Sequence, residues 1–119
     1  MPKYKVPSNI QRIARQAIEY NLSFPVAQRA AMKKENGKVV FGTGMRTARR
    51  LASGSIDAEQ MRLMRAWFAR HGESEKEKKA RKDKSSKAAR AWALWGGSAA
   101  RRFVNGMLRE IERKEKKDK

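Results

Sequence analysis

The chain has 119 residues, of which 30 are Lys or Arg and 12 are Asp or Glu, so its formal net charge is +18. It has no cysteine, which excludes disulfides, a thiol nucleophile and a cysteine-based zinc site. No apolar run approaches the roughly 20 residues that a membrane helix needs, so no membrane contact is expected. Because so much like charge destabilises a folded body, we expect a polyanionic partner. Nucleic acid is the leading candidate, and the alternative is that the charge serves solubility or belongs to a ribosome-like basic protein.

The length and composition predict one intracellular domain over residues 1–119, with a small all-α fold of four to five short helices. Ser8 and Gln11 have capping-box spacing before an apolar stripe of helical period, which predicts a first helix from Ser8 to about residue 21. A weaker helix is expected over 25–35. Residues 38–41 are then expected to form a loop anchored by Phe41.

A helical hairpin is predicted next. One helix covers about 45–53 and ends at Gly54, which occupies the position of a left-handed C-cap. Asp57 is expected to cap the following helix, which continues to Gly72. The alternative is a DNA-binding helix-turn-helix, in which residues 57–60 would lead the recognition helix toward the bases.

The C-terminal part alternates charged and aromatic segments. Residues 73–87 are expected to form a charged linker, with a solvated helix as the alternative. A short aromatic helix from Ala88 ends at Gly96-Gly97, which permits a sharp reversal. Ser98 should cap the last helix, and residues 113–119 form a frayed basic tail. The predicted core consists of Ile13, Ile18, Leu51, Met64, Trp67, Phe68, Trp92, Trp95, Phe103 and Met107.

The basic residues most suited to phosphate binding lie in a segment without acids, between Asn36 and Ile56. Three guanidiniums share one face of the predicted helix there, and each can hold a phosphate through two hydrogen bonds. The alternative is a solvated face with one arginine paired to Asp57 or Glu59. The predicted nucleic-acid-binding residues are Lys38, Arg46, Arg49, Arg50, Arg62, Arg65, Arg101 and Arg102.

No catalytic constellation, cofactor site or metal site is recognisable in the sequence. His71 is the only histidine, and it lacks both a second metal ligand and a convincing acid-base partner. The three tryptophans have helical spacing with other apolar residues, which favours core packing over stacking platforms for unpaired bases. We therefore expect a protein that is not an enzyme.

Two stretches carry a resemblance to a known family. Residues 48–54 read ARRLASG and are followed by 68–71, FARH, while residues 91–97 read AWALWGG. The pattern A-R-x-L-x-x-G … F-x-R-H … A-W-x-L-W-G-G resembles a small, mostly uncharacterised domain of bacteriophage proteins. The resemblance covers about 47–103 and implies a helical fold and a phage origin, but no activity. It also implies that the two helical parts meet in one core.

The resulting hypothesis is a non-enzymatic accessory protein of a phage that binds nucleic acid, duplex DNA rather than RNA, mainly through phosphates. It would work in the host cytoplasm near the nucleoid, or in the virion. The alternative is a virion, assembly or host-directed protein that docks its basic surface on an acidic protein. An exposed apolar patch along Phe103, Met107 and Ile111 would mark that alternative. The sequence predicts neither a base preference nor an oligomeric state.

Overall fold

The computed structural model describes residues 2–118 and is mainly helical, with two small antiparallel sheets. Its principal extents are 50 × 32 × 27 Å. A single 3₁₀ turn, Val26–Gln28, follows the first helix. The remaining elements, in chain order, are β1 Lys3–Lys5, α1 Ser8–Leu22, β2 Met32–Glu35, β3 Lys38–Phe41, α2 Thr43–Ser53, β4 Ser55–Asp57, α3 Ala58–Gly72, α4 Glu75–Ala80, α5 Lys87–Leu94 and α6 Gly97–Lys117.

The helices enclose one core, to which α1, α2, α3, α5 and α6 all contribute. Leu51, Met64, Phe68 and Trp95 are buried as the apolar spacing predicted, and most of the other predicted core residues pack against them half-buried. The Trp92 ring lies 5.0 Å from the Phe68 ring, centroid to centroid. The helices on either side of the charged segment 73–87 therefore share one core, as the resemblance implied.

Segment 25–41 differs from its prediction. The expected helix over 25–35 is wrong, because only Val26–Gln28 is helical and β2 begins at Met32. The expected loop over 38–41 is also wrong, because these residues form β3 and pair with β2. Asn36 and Gly37 both have positive φ angles, 52° and 78°, which is the geometry of a two-residue hairpin turn. The β-branched and aromatic residues after that turn favour a strand over a loop.

A short sheet ties the N-terminus to the connection between α2 and α3. Strand β1 pairs with β4 in the register Lys3↔Asp57, and the Val6 amide donates to the Gly54 carbonyl at 2.8 Å. The connection from α2 to α3 is therefore a left-handed glycine followed by a paired strand. Neither strand was predicted from the sequence, because each has only three residues.

Two of the predicted helix caps are confirmed. The Asp57 Oδ1 atom accepts from the Gln60 amide at 2.8 Å, and Gly54 ends α2 with φ 107°. Two others are wrong: Ser8 lies inside α1, which Pro7 precedes, and Ser98 lies inside α6. Gly96 precedes α6 in the left-handed region at φ 96°, so the predicted glycine reversal does join α5 to α6.

The charged segment 73–87 contains one short helix, α4, and then a series of turns. Ser74 caps α4 by accepting from the Glu77 amide at 3.3 Å, and Ser86 caps α5 in the same way through the Ala89 amide at 3.1 Å. Helix α6 continues to Lys117, further than expected for a frayed tail that was to begin at residue 113. The last residue of that tail, Lys119, lies outside the described residues.

Candidate nucleic-acid interface

Arg46, Arg49 and Arg50 form an exposed face of α2, which we call the arginine face. On the opposite side of the helix, Met45, Ala48 and Leu51 are fully buried. At about 100° per residue, the three arginines span an arc of about 100° that points away from the core. Because the apolar residues of α2 recur with the helical period on one side, the three arginines lie together on the opposite side.

The contacts of the arginine face are with neutral groups. Arg46 Nη1 donates to the Phe41 carbonyl at 2.9 Å, and the Arg49 guanidinium lies over the Phe41 ring, 5.7 Å from its centroid. Arg50 Nη1 donates to Gln60 Oε1 at 2.6 Å. None of the three arginines forms an ion pair with any acid in residues 2–118. Their charge is therefore not neutralised within this part of the protein.

The pairing of one of these arginines with Asp57 or Glu59, which was the alternative to phosphate binding, does not form. Arg46, Arg49 and Arg50 line an open depression together with Ser53. A second depression, on the other side of Arg50, is lined by both Asp57 and Glu59. The purely basic surface therefore ends at Arg50 on the side of α3.

The hairpin of β2 and β3 carries Lys38, the one predicted nucleic-acid-binding residue that precedes α2 in the sequence. Lys38 is exposed and lies opposite Glu35 in the strand register. Residues opposite each other share a face of a two-stranded ribbon. Since the Phe41–Met32 pair packs on the core, the next pair on that same face is Lys34 and Val39. Lys38 therefore lies on the other face of the ribbon, and Lys34, which was not predicted, lies on the face that Arg49 covers.

Arg62 and Arg65 of α3 point to acids on α6. Arg65 donates to both oxygens of Glu112, at 2.9 and 3.1 Å, and Arg62 Nη2 lies 3.1 Å from Glu115 Oε1. The hydrogen bond from Arg65 holds the pKa of Glu112 below its usual value, and the same bond raises the pKa of Arg65. These two cations are thus already paired within the protein, unlike those of α2.

Arg101 and Arg102, at the start of α6, lie in different surroundings. Arg101 Nη2 donates to Glu73 Oε1 at 2.9 Å, which lowers the pKa of that carboxyl. The carboxylate offsets the unfavourable interaction between a cation near a helix N-terminus and the helix dipole. Arg102 is exposed and forms no ion pair within residues 2–118.

The tryptophans make aromatic contacts inside the protein. Trp67 stacks on Trp95 with centroids 4.7 Å apart, and the His71 ring lies tilted against Trp67 with centroids 4.5 Å apart. The Arg81 guanidinium lies over the Trp92 ring at 4.0 Å. These contacts favour core packing for the tryptophans over a role as platforms for unpaired bases.

His71 does have an acidic neighbour, contrary to the expectation from sequence. Its Nδ1 atom lies 2.7 Å from Glu77 Oε1, and Arg81 Nη1 donates to its backbone carbonyl at 3.1 Å. Both partners belong to or follow α4, so the contacts hold α4 against the end of α3. Within residues 2–118 no group of three His, Cys, Asp or Glu side chains is placed to hold a metal ion. No helix in that range is long and apolar enough to cross a membrane.

A buried polar cluster behind α2 was not predicted. Arg90 is only 5% exposed, and its Nη1 atom donates to Asn21 Oδ1 at 2.9 Å and to the Gln28 carbonyl at 3.0 Å. Its guanidinium lies 3.8 Å from the centroid of the Phe24 ring. Asn21, fully buried, also donates to the Ala30 carbonyl at 3.0 Å. The only signal in the sequence is that Arg90 stands four residues before Leu94, on the buried stripe of α5.

No protein family, curated protein or solved structure matches this chain.

Proposed function

We propose that the protein binds nucleic acid without catalysing a reaction, and that it holds duplex DNA mainly through the phosphates. Because of the resemblance to a phage domain, the proposal includes an accessory role, either in the host cytoplasm near the nucleoid or in the virion. The arginine face of α2 makes the primary contacts. Arg102 can add peripheral ones, whereas Arg62, Arg65 and Arg101 are held by carboxylates.

One observation carries the proposal. Within residues 2–118, Glu73, Glu112 and Glu115 pair with arginines elsewhere on the surface, yet no acid forms an ion pair with any of the three arginines of the arginine face. Three adjacent like charges repel each other, so their clustering costs stability unless an anion binds there. Guanidiniums side by side match the spacing and hydrogen-bonding capacity of a phosphate backbone.

Groove reading by α3, as in a helix-turn-helix, is less favoured than phosphate binding by α2. Asp57 at the N-cap of α3 and Glu59 in its first turn would face the phosphates unfavourably. Gln60 is buried and already bonded, through its Nε2 atom to Thr47 at 3.2 Å and through its Oε1 atom to Arg50. The side chains that would lead a recognition helix are therefore acidic or occupied.

The test is a titration of labelled random duplex DNA with nuclease-treated protein at 0.05 M and 0.15 M salt. Phosphate contacts predict a steep loss of affinity, with a log–log slope of about −0.9 per phosphate neutralised. Affinity that stays level between the two salt concentrations would refute phosphate binding as the mechanism.

An acidic protein partner is the alternative if no DNA binds at low salt. The apolar patch expected for that function is not exposed, because Phe103, Met107 and Ile111 are half-buried against the core. Association that persists after nuclease treatment, measured by light scattering, would support this alternative over DNA binding.

A further inference from the structure

The hairpin of β2 and β3 projects from the body as a narrow basic arm. All seven residues from Lys33 to Val39 are exposed, whereas Met32 and Phe41 at its base pack against the core. The tip is a two-residue turn, so no bulky loop caps the arm. Beyond the Met32–Phe41 pair, three residues of strand at about 3.4 Å per residue make the projecting part of the arm about 10 Å long.

The base of the arm is attached to the arginine face. The Gly42 amide donates to the Ala31 carbonyl at 2.6 Å, which closes the two ends of the hairpin against each other. Arg46 Nη1 binds the Phe41 carbonyl at 2.9 Å, and Arg49 covers the Phe41 ring. The arm and the arginine face are therefore adjacent and can contact the same partner.

The exposed part of the arm is basic. It carries Lys33, Lys34 and Lys38 against the single acid Glu35. Lys33 Nζ lies 3.9 Å from Glu35 Oε1, while Lys34 and Lys38 form no ion pair within residues 2–118. Val39, 42% exposed, adds an apolar side chain beside Lys34. Uncompensated lysines with an exposed valine suit a surface that is both anionic and partly apolar.

We propose that this arm enters the major groove of duplex DNA while the arginine face holds the adjacent phosphates. The inference rests on the proposed function and specifies its partner. The major groove of B-DNA, about 12 Å wide and 8.5 Å deep, admits a two-stranded ribbon, and the arm is long enough to reach its floor. The minor groove is only about 6 Å wide. The major groove of duplex RNA is deep and narrow, so the arm is excluded from it. The protein therefore distinguishes DNA from RNA through the arm.

The test compares three probes of equal length and charge: a duplex DNA, the duplex RNA of the same sequence, and the DNA with glucosylated 5-hydroxymethylcytosine. The uncharged sugar fills the major groove and leaves the phosphates in place. Wild-type protein should bind the plain DNA roughly tenfold more tightly than either other probe, the size of a groove contact. Equal affinity for plain and glucosylated DNA would overturn the groove assignment.

Two double variants separate the arm from the arginine face. Lys34→Gln/Lys38→Gln should weaken binding to plain DNA roughly five- to tenfold and leave RNA binding within about twofold. Arg49→Gln/Arg50→Gln should weaken binding to all three probes. Lys114→Gln/Lys116→Gln, on α6, is the matched control for charge and should change none of them appreciably.

The outcomes distinguish the two proposals. If the arm variant weakens DNA and RNA binding equally, the arm contacts phosphates only, and the groove assignment fails while the proposed function stands. If no probe binds at low salt, the proposed function fails and the groove assignment fails with it. Circular dichroism of each variant verifies folding, and all the substituted side chains are exposed.

Discussion

Replacing Arg49 and Arg50 by glutamine tests the arginine face most directly. The variant keeps the Arg46–Phe41 hydrogen bond that attaches the hairpin. It removes two charges that no acid of residues 2–118 neutralises. Arg12→Gln/Arg15→Gln is the matched control, because both residues are exposed arginines on the outer side of a helix, α1. The two variants have the same net charge and lose it at different places on the surface.

The size of the effect follows from counterion release. Each lost phosphate contact lowers the affinity by about fivefold at 0.15 M salt and about fifteenfold at 0.05 M, if the lost term is counterion release alone. The Arg49/Arg50 variant should therefore bind about 30-fold more weakly at 0.15 M and about 200-fold more weakly at 0.05 M. The slope of log K against log salt should become shallower by about 1.8.

Fluorescence anisotropy with a labelled duplex, measured at four or five salt concentrations, gives both quantities. The control should stay within about twofold of wild type at 0.15 M, because the Debye length of about 8 Å screens charges far from the contact. An equal loss in both variants would refute a localised site and indicate binding by diffuse charge. An unchanged slope in the Arg49/Arg50 variant would refute contact between these arginines and phosphates.

Three further predictions concern stability, measured by urea unfolding. Arg90→Ala should lower the free energy of unfolding by about 3 kcal/mol, because the Gln28 and Ser85 carbonyls lose their buried donor and the Phe24 ring loses its contact with the guanidinium. As the control, Arg12→Ala at an exposed site should lower it by less than about 0.5 kcal/mol. Gly54→Ala should cost about 1 kcal/mol, since its φ of 107° is strained for any residue with a side chain, whereas Gly106→Ala inside α6, with open space around it, should stabilise by about 0.5–1 kcal/mol. Arginine contacts lower the pKa of Glu112 and Glu73 below the ordinary value of 4.5, so these pairs stabilise the fold fully above pH 4.5 and less as the pH falls through the folded-state pKa. Glu112→Gln should therefore make the free energy of unfolding less dependent on acid pH. An unchanged dependence would show that the Arg65–Glu112 pair does not contribute to stability.

Several features that depend on residues within about four positions of each other were predictable from the sequence, although the caps expected at Ser8 and Ser98 do not form. The caps at Asp57 and Gly54 and the arginine face of α2 are of this kind, because the helical period alone sets which side chains share a face. The hairpin turn at Asn36-Gly37 also has a local signal in its Asn-Gly pair, although a helix was expected over 25–35. There two local preferences competed, and the turn geometry prevailed.

The partners of charged groups were decided only by the tertiary structure. Arg65 and Glu112 are 47 positions apart, and Arg90 and Asn21 are 69 apart, so no periodicity relates them. The sequence showed that arginines lie along α2 and along α3. The packing of α6 against α3 pairs Arg62 and Arg65 with acids, whereas in the described part of the chain no acid forms an ion pair with the arginines of α2. A charge is available to a ligand only where the fold does not pair it, and that depends on which distant segments come to lie beside it.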